Sequence, residues 1–243
     1  MRRARALLLG ALASAALAAG ATARGDDGLD AAAAGGAGDG AATREIVVDA
    51  RRFQVAKGQS GPVSYYEVVT GEPGGAYLRG RYRPPLESVV MAIEIPKHLR
   101  QRIVRLRWRW RATAMPQGGN ECDDKRKDTA ASVYVVFKRA LRWYSLKYVW
   151  SDGSPQGTVC AKRRWPLSAQ DSVILRSSGV SSEWVEEDID PVQAFRDHFA
   201  GGDPRAEVPD LVGVGVMTDG DDTKSESGAD WSGFRLVVKP AER

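Results

Sequence analysis

The chain has 243 residues with 43% hydrophobic residues, enough to bury a sizeable core. Its formal net charge of +4 splits unevenly. Arg2, Arg3 and Arg5 are offset by the acidic stretch that follows them, and Arg44–Arg243 keeps a mildly basic balance that falls short of nucleic-acid binding through charge alone. Two His, no CxxC and no GxSxG leave zinc- and serine-hydrolase chemistry unsupported.

Residues 1–23 read as a signal peptide. Met1–Arg5 is short and basic, Ala6–Gly20 is an apolar run, and Ala21-Thr22-Ala23 supplies a small-x-small cleavage site. The run is shorter than the roughly 20 apolar residues that span a bilayer. The expected localisation is therefore export, periplasmic or secreted, with no stable membrane insertion after cleavage. Residues 24–43 form a low-complexity leader with almost nothing to bury. Arg44–Arg243 then reads as one domain without a further linker or internal repeat.

Strands are expected at Glu45–Ala50, Val63–Thr70, Ala76–Tyr82 and Ser88–Ile95. A turn at Glu72-Pro73-Gly74-Gly75 and the pair Pro84-Pro85 break the pattern between them. Pro96–Gln101 fits a single helical turn. Arg102–Arg111 alternates most clearly: Val104, Leu106, Trp108 and Trp110 on one face, Arg105, Arg107, Arg109 and Arg111 on the other. Met115–Lys127 is a loop by its Pro, Gly and charge content.

Ser132–Phe137 is dense in β-branched and aromatic residues, as suits a strand near the middle of a sheet. Leu146, Tyr148 and Trp150 alternate with Lys147 and Val149, which predicts a second strand with one buried face, joined to the first by a bend within Lys138–Ser145. Later strands are expected at Ser172–Arg176, Glu183–Ile189, Leu211–Met217 and Gly233–Lys239. One helix is marked by Asp190 as N-cap, Pro191 at its first position and Gly201 beyond its end. About ten strands and one short helix predict an all-β fold, an antiparallel β-sandwich of jelly-roll or galactose-binding-like type.

Cys122 and Cys160 are the only cysteines, and in an exported chain they read as a disulfide, with two buried reduced thiols as the alternative. The loop Thr218–Thr223 offers Asp219, Asp221, Asp222 and Thr223 as closely spaced oxygen ligands, with calcium the cofactor they would suit and Asp123, Asp124 or Asp128 to complete the site. Lys224 stands where an EF-hand requires Gly, which rejects that motif. The alternative is a tight turn in which Asp side chains bond their own backbone.

The arginine face reads either as a solvated surface paired with neighbouring carboxylates or as a cationic platform for an anionic polymer, with Arg107 and Arg109 at its centre. Of seven Trp, Trp108, Trp110 and Trp150 read as core. Trp143, Trp165, Trp184 and Trp231 fall at strand ends or loops, where an indole can stack on a sugar ring. Trp184, Trp231, Arg107, Arg109 and Asp128 are the expected ligand-binding residues; no motif singles out a catalytic pair.

Several stretches together resemble the uncharacterised bacterial family called domain of unknown function 3047. They are WRWRATAMP (Trp108–Pro116), DTAASVYVVF (Asp128–Phe137), LKYVW (Leu146–Trp150), GVGVMTDGDDT (Gly213–Thr223) and Trp231-Ser232-Gly233. The resemblance implies a secreted or periplasmic β-sandwich and carries no established activity. Two features depart from the family's pattern: the second half of TDGDDT lacks an expected Asn, and the two cysteines lie outside it. The functional expectation is a non-catalytic exported module that binds carbohydrate or an envelope polymer. A polysaccharide hydrolase using Asp or Glu and a structural periplasmic protein are the alternatives.

Overall fold

A computed structural model describes residues 43–241 apart from 60–64 and 72–74. The expected signal peptide, the leader up to residue 42, the start of the strand read from Val63 and most of the turn at Glu72 lie outside the described residues.

The centre of the molecule is a hairpin of β7 (Ala131–Arg139) and β8 (Arg142–Trp150). Both strands run past their apolar segments, so the joining bend contracts to Ala140 and Leu141, with Ala140 left-handed at φ 51°. One seven-stranded sheet forms around this hairpin from β2 (Gln54–Val55), β5 (Met91–Glu94), β12 (Asp210–Met217), β7, β8, β10 (Ser168–Arg176) and β9 (Val159–Arg164), in that spatial order. β7 is its middle strand, as its β-branched run predicts. The other sheet runs β11 (Val185–Ile189), β6 (Ile103–Ala114), β13 (Ser227–Val238), β4 (Tyr77–Tyr82) and β3 (Tyr66–Val69). Its sixth strand, β1 (Arg44–Val47), pairs with the second half of β13, while β4 pairs with the first half.

The two sheets make the expected β-sandwich, with thirteen strands among the described residues. Its strands are not all antiparallel. β9 doubles back along the sheet edge, and β10 inserts between β9 and β8, so β10 lies parallel to β8. Two strands were not expected from sequence, β2 and β9, the latter because VCAKRR is too polar to stand out.

The apolar alternation of β6 builds the core. Leu106, Trp108 and Trp110 are fully buried. Ile103, rather than the expected Val104, joins them, because the pairing with β13 slips by one residue there: Arg105 opposes Val237 while Ile103 opposes Val238. Trp108, Trp110 and Trp150 form a run of edge-on ring contacts, with centroids 5.8 and 5.7 Å apart. Such contacts add to the large area each indole buries.

The helix α1 (Pro191–Phe199) forms where its capping residues predict. Asp190 accepts from the Val192 and Gln193 amides at 2.9 Å, and Gly201 takes φ 65° beyond the end. Phe195 and Phe199 lie against Phe137 and Tyr144. Behind them, His198 Nδ1 and Arg164 hold the buried Asp171 at 2.9 and 2.6 Å. Burial raises the Asp171 carboxyl, but these two partners outweigh it and keep it below the ordinary aspartate range.

The expected single buried face of β8 is a correction. Both faces are covered: Leu146, Tyr148 and Trp150 inward, Ser145, Lys147 and Val149 outward. The outward face of the seven-stranded sheet carries a second apolar cluster of Ala56, Val90, Ala92, Tyr134, Val136, Val212 and Met217. The loop between β6 and β7 is tied to the same sheet by the expected Cys122–Cys160 disulfide, whose Cα atoms are 5.1 Å apart.

Candidate functional site

Two loops meet at one end of the sandwich, the one before β7 and the one between β12 and β13. Asp128 is fully buried and organises the contact. Its Oδ1 accepts the Asp222 amide at 3.1 Å, and its Oδ2 accepts both the amide and the hydroxyl of Thr223 at 2.6 Å. The Asp219 amide donates to the Thr129 carbonyl at 3.1 Å, closing the junction.

This arrangement redraws the expected ligand set. Carboxylate oxygens of Asp128, Asp221 and Asp222 lie within 4.8 Å of one another. Asp219 instead sinks beneath them, 9% exposed, and accepts a hydrogen bond from the Ser88 hydroxyl. Burial, then the charges of Asp221 and Asp128, push its carboxyl well above the usual range. Asp222 is raised for the same three reasons in the same order. Thr223 spends its hydroxyl on Asp128 and Ser225. The Lys224 ammonium donates to the Asp221 carbonyl, from a residue itself left-handed at φ 58°. The turn is thus braced from its own loop as well as by Asp128.

The outward face of the six-stranded sheet carries the arginines of β6. Arg105 and Arg107 share Asp188, and Arg107 also reaches Glu45. Arg79 and Arg111 flank Asp230, whose side chain is fully buried between them. Arg235 pairs with Glu186. The cationic face is therefore compensated by carboxylates on β1, β11 and β13, the first of the two readings its sequence allows.

Aromatic side chains lie on this face as well. Trp184, just before β11, is part-buried over the guanidinium groups of Arg111 and Arg109, at 4.6 and 5.6 Å from its ring centroid. The Tyr77 ring meets it edge-on at 5.4 Å, and Arg79 lies over Tyr77 at 5.1 Å. Tyr77 is itself buried, so Trp184 is the accessible ring of this group, with the planar guanidinium groups of Arg79, Arg109 and Arg111 around the pair.

Trp231 is a correction. It was expected at the surface and is fully buried. The strand expected from Gly233 begins at Ser227, and Gly233, at φ 63°, marks a bulge within it where the pairing with β6 slips between Ser232 and Arg235. Trp231 therefore sits in mid-strand opposite Trp110 and Leu78. Trp143 and Trp165 are part-buried, Trp143 under the Lys138 ammonium at 4.4 Å.

Several buried polar residues were not singled out from sequence. Glu187 joins the sheets at their edge, accepting from Trp110 Nε1 at 2.9 Å and from Arg176 at 2.7 and 3.1 Å. Lys147 Nζ donates to Glu121 Oε2 at 2.6 Å, and Ser172 Oγ donates to Glu121 Oε1 at 2.7 Å. Burial acts against the Lys147 cation, but the charge of Glu121 beside it outweighs that and holds the ammonium above the ordinary lysine range. The one readable signal was a lysine in a strand otherwise rich in aromatics; its partner lies 26 residues away.

Fold and surface define a two-sheet β-sandwich with a loop-end carboxylate group and an aromatic–arginine face. The chain belongs to the family described as protein of unknown function (DUF3047), whose model matches residues 87–235. No curated protein matches it. Among solved structures it is similar to the family 11 carbohydrate-binding module of cellulosomal cellulase Lic26A-Cel5E of Clostridium thermocellum, at 10% identity and TM-score 0.44, covering 83% of this chain and 98% of that one. It is also similar to Trichoderma harzianum endoglucanase 3 from family GH12, at 12% identity and TM-score 0.41, covering 83% and 99%. A third is the xyloglucanase domain of NopAA, a type three effector from Sinorhizobium fredii, in complex with cellobiose, at 11% identity and TM-score 0.42, covering 72% and 90%.

Proposed function

We propose that this protein is an exported, non-catalytic module that binds polysaccharide on the outward face of its six-stranded sheet. The observation that carries the reading is the part-buried Trp184, set over Arg109 and Arg111 and against Tyr77. An indole offers a broad apolar face to the C–H side of a sugar ring, while guanidinium groups at its border donate to ring hydroxyls. The carboxylates that neutralise most of this face favour an uncharged, hydroxyl-rich ligand over a strongly anionic polymer. Arg107, held by both Asp188 and Glu45, plays a bracing part in it. The Cys122–Cys160 disulfide accords with an oxidising compartment.

Co-sedimentation with peptidoglycan and a panel of insoluble polysaccharides tests the reading. Selective binding by the parent chain and loss of at least about tenfold in affinity for Trp184→Ala, the size of an aromatic hot spot, are the expected results. Equal binding by parent and variant would remove the aromatic platform.

A second reading concerns the loop end, where the convergence of Asp128, Asp221 and Asp222 favours a hard cation such as calcium. Calcium would relieve the mutual repulsion of these groups and raise the melting temperature, an increase that EDTA reverses and Asp222→Asn abolishes. An unchanged melting temperature with millimolar calcium counts against it. The hydrolase alternative draws less support, since among the described residues the most strongly perturbed carboxyl, Asp219, is buried and bonded to Ser88.

A further inference from the structure

We propose that Lys147 and Ser172 form a carboxylate-binding pocket on the outward face of the seven-stranded sheet, filled in this structure by Glu121 of the same chain. Its external ligand is a uronate residue of a polysaccharide. The inference rests on the carbohydrate reading above and uses the opposite face of the sandwich.

The geometry is that of a bound ligand. Lys147 on β8 and Ser172 on β10 are direct partners in the parallel ladder, and each donates to a different oxygen of one carboxylate. That carboxylate descends from a loop rather than from a neighbouring strand. Side chains of Lys147 and Glu121 are 6% and 2% exposed, and buried ion pairs of this kind are often replaced by apolar residues at no loss. The surrounding face is built of Val, Ala, Tyr and Met.

Two residues back along the same two strands, on the same face, stand Ser145 and Gln170, again direct partners and only 0% and 4% exposed. Ser145 Oγ and Gln170 Oε1 have no hydrogen-bond partner, although buried polar atoms are nearly always bonded. Residues two apart on a strand stand about 7 Å apart, the scale of a sugar ring. Lys147 and Ser172 offer donors to a carboxylate, Gln170 Oε1 needs an O–H donor, and Ser145 takes either role. A ligand with a carboxylate at one end and hydroxyls beside it satisfies all four, and a hexuronate is such a ligand.

The occupant is latched. Glu121 adjoins Cys122, which is exposed and bonded to Cys160, the ladder partner of Ser172 on β9. A dithiol reductant opens the latch. Two electrons and two protons pass to the sulfurs, the S–S bond breaks into two thiols, and the dithiol closes to its own disulfide.

The test is calorimetric titration of the full chain with an oligogalacturonide, with a cello-oligosaccharide as uncharged comparator. It is run on the oxidised parent, the dithiothreitol-reduced parent, oxidised Glu121→Ala, and oxidised Glu121→Ala/Lys147→Met. Oligogalacturonide binding about tenfold tighter in the reduced parent or in Glu121→Ala than in the oxidised parent, the usual size of an internal coupling, supports the pocket. So does loss of that gain on adding Lys147→Met. Should reduction unfold the chain, the oxidised Glu121→Ala arm decides. No gain in Glu121→Ala, a gain that survives Lys147→Met, or an equal gain for the uncharged comparator overturns the proposal. Comparator affinity in the parent reports on the Trp184 face alone, so the two readings fail separately.

Discussion

Asp219 shows how one side chain can carry two incompatible demands. Its amide and its hydrogen bond to Ser88 hold the loop junction, while its burial beside Asp128 and Asp221 makes its ionised form costly. A carboxyl whose native pKa is raised binds its proton more tightly folded than unfolded, so its contribution is full in acid and lost as pH climbs through the raised native value. Asp219→Asn is therefore expected to be more stable than the parent at pH 7 and indistinguishable from it below about pH 4, the ordinary aspartate range. Chemical denaturation at both pH values checks this. A variant equally destabilised at both would mean that the carboxylate is needed for its bonds rather than tolerated despite its charge. Asp128, also buried, has each of its oxygens satisfied by donors from the facing turn, which is the feature Asp219 lacks.

At the scale of elements, the reach of sequence reasoning follows from which interactions are local. β6 was legible because its apolar and charged residues alternate over a long run, and α1 because its cap, its Pro and its terminal Gly each act on their own neighbours. β13 was half legible. Its second part, Phe234, Leu236 and Val238, has the alternation, but Ser227–Ser232 mixes small and polar residues whose burial comes from Asp230 meeting Arg79 and Arg111 across two strands. The position of Trp231 was misread for that reason. The Glu121–Lys147 pair was marked only by a lysine in an aromatic-rich strand, and the inter-sheet Glu187–Arg176 pair by nothing local, since each charge is buried against a distant partner. The loop-end group was legible in part: Asp221, Asp222 and Asp128 converge, while the side chain of Asp219 turned out to point beneath them. The bulge in β6 gives an element-scale test. Ile103→Ala should cost about 2–5 kcal/mol as a core truncation, and Val104→Ala much less, reversing the order that simple alternation implies. Equal losses in equilibrium unfolding would mean that the register slip does not turn Val104 outward.

For the whole molecule, the disulfide is the longest-range covalent constraint, linking residues 38 apart. Replacing both cysteines by serine should lower stability by about 4 kcal/mol on the chain-entropy account. Thermal unfolding with and without reductant measures it, and a loss that the double variant shows but reduction does not would point to packing at the sulfurs instead. The two broad faces also differ in kind. The six-stranded sheet presents arginines, carboxylates and Trp184, whereas the seven-stranded sheet is covered by a second apolar cluster and by the latched loop.

β13 follows every other strand in the chain and yet lies at the centre of its sheet, paired with β6 along one side and with β4 and β1 in turn along the other. During synthesis from the N-terminus, β1, β4 and β6 leave the ribosome without the strand that unites them. The six-stranded sheet can therefore close only once residues 227–238 have emerged, whereas every strand of the seven-stranded sheet precedes them. A ribosome stalled before Ser227 would expose β1 without a partner and one free edge each on β4 and β6, whose other edges are held by β3 and β11.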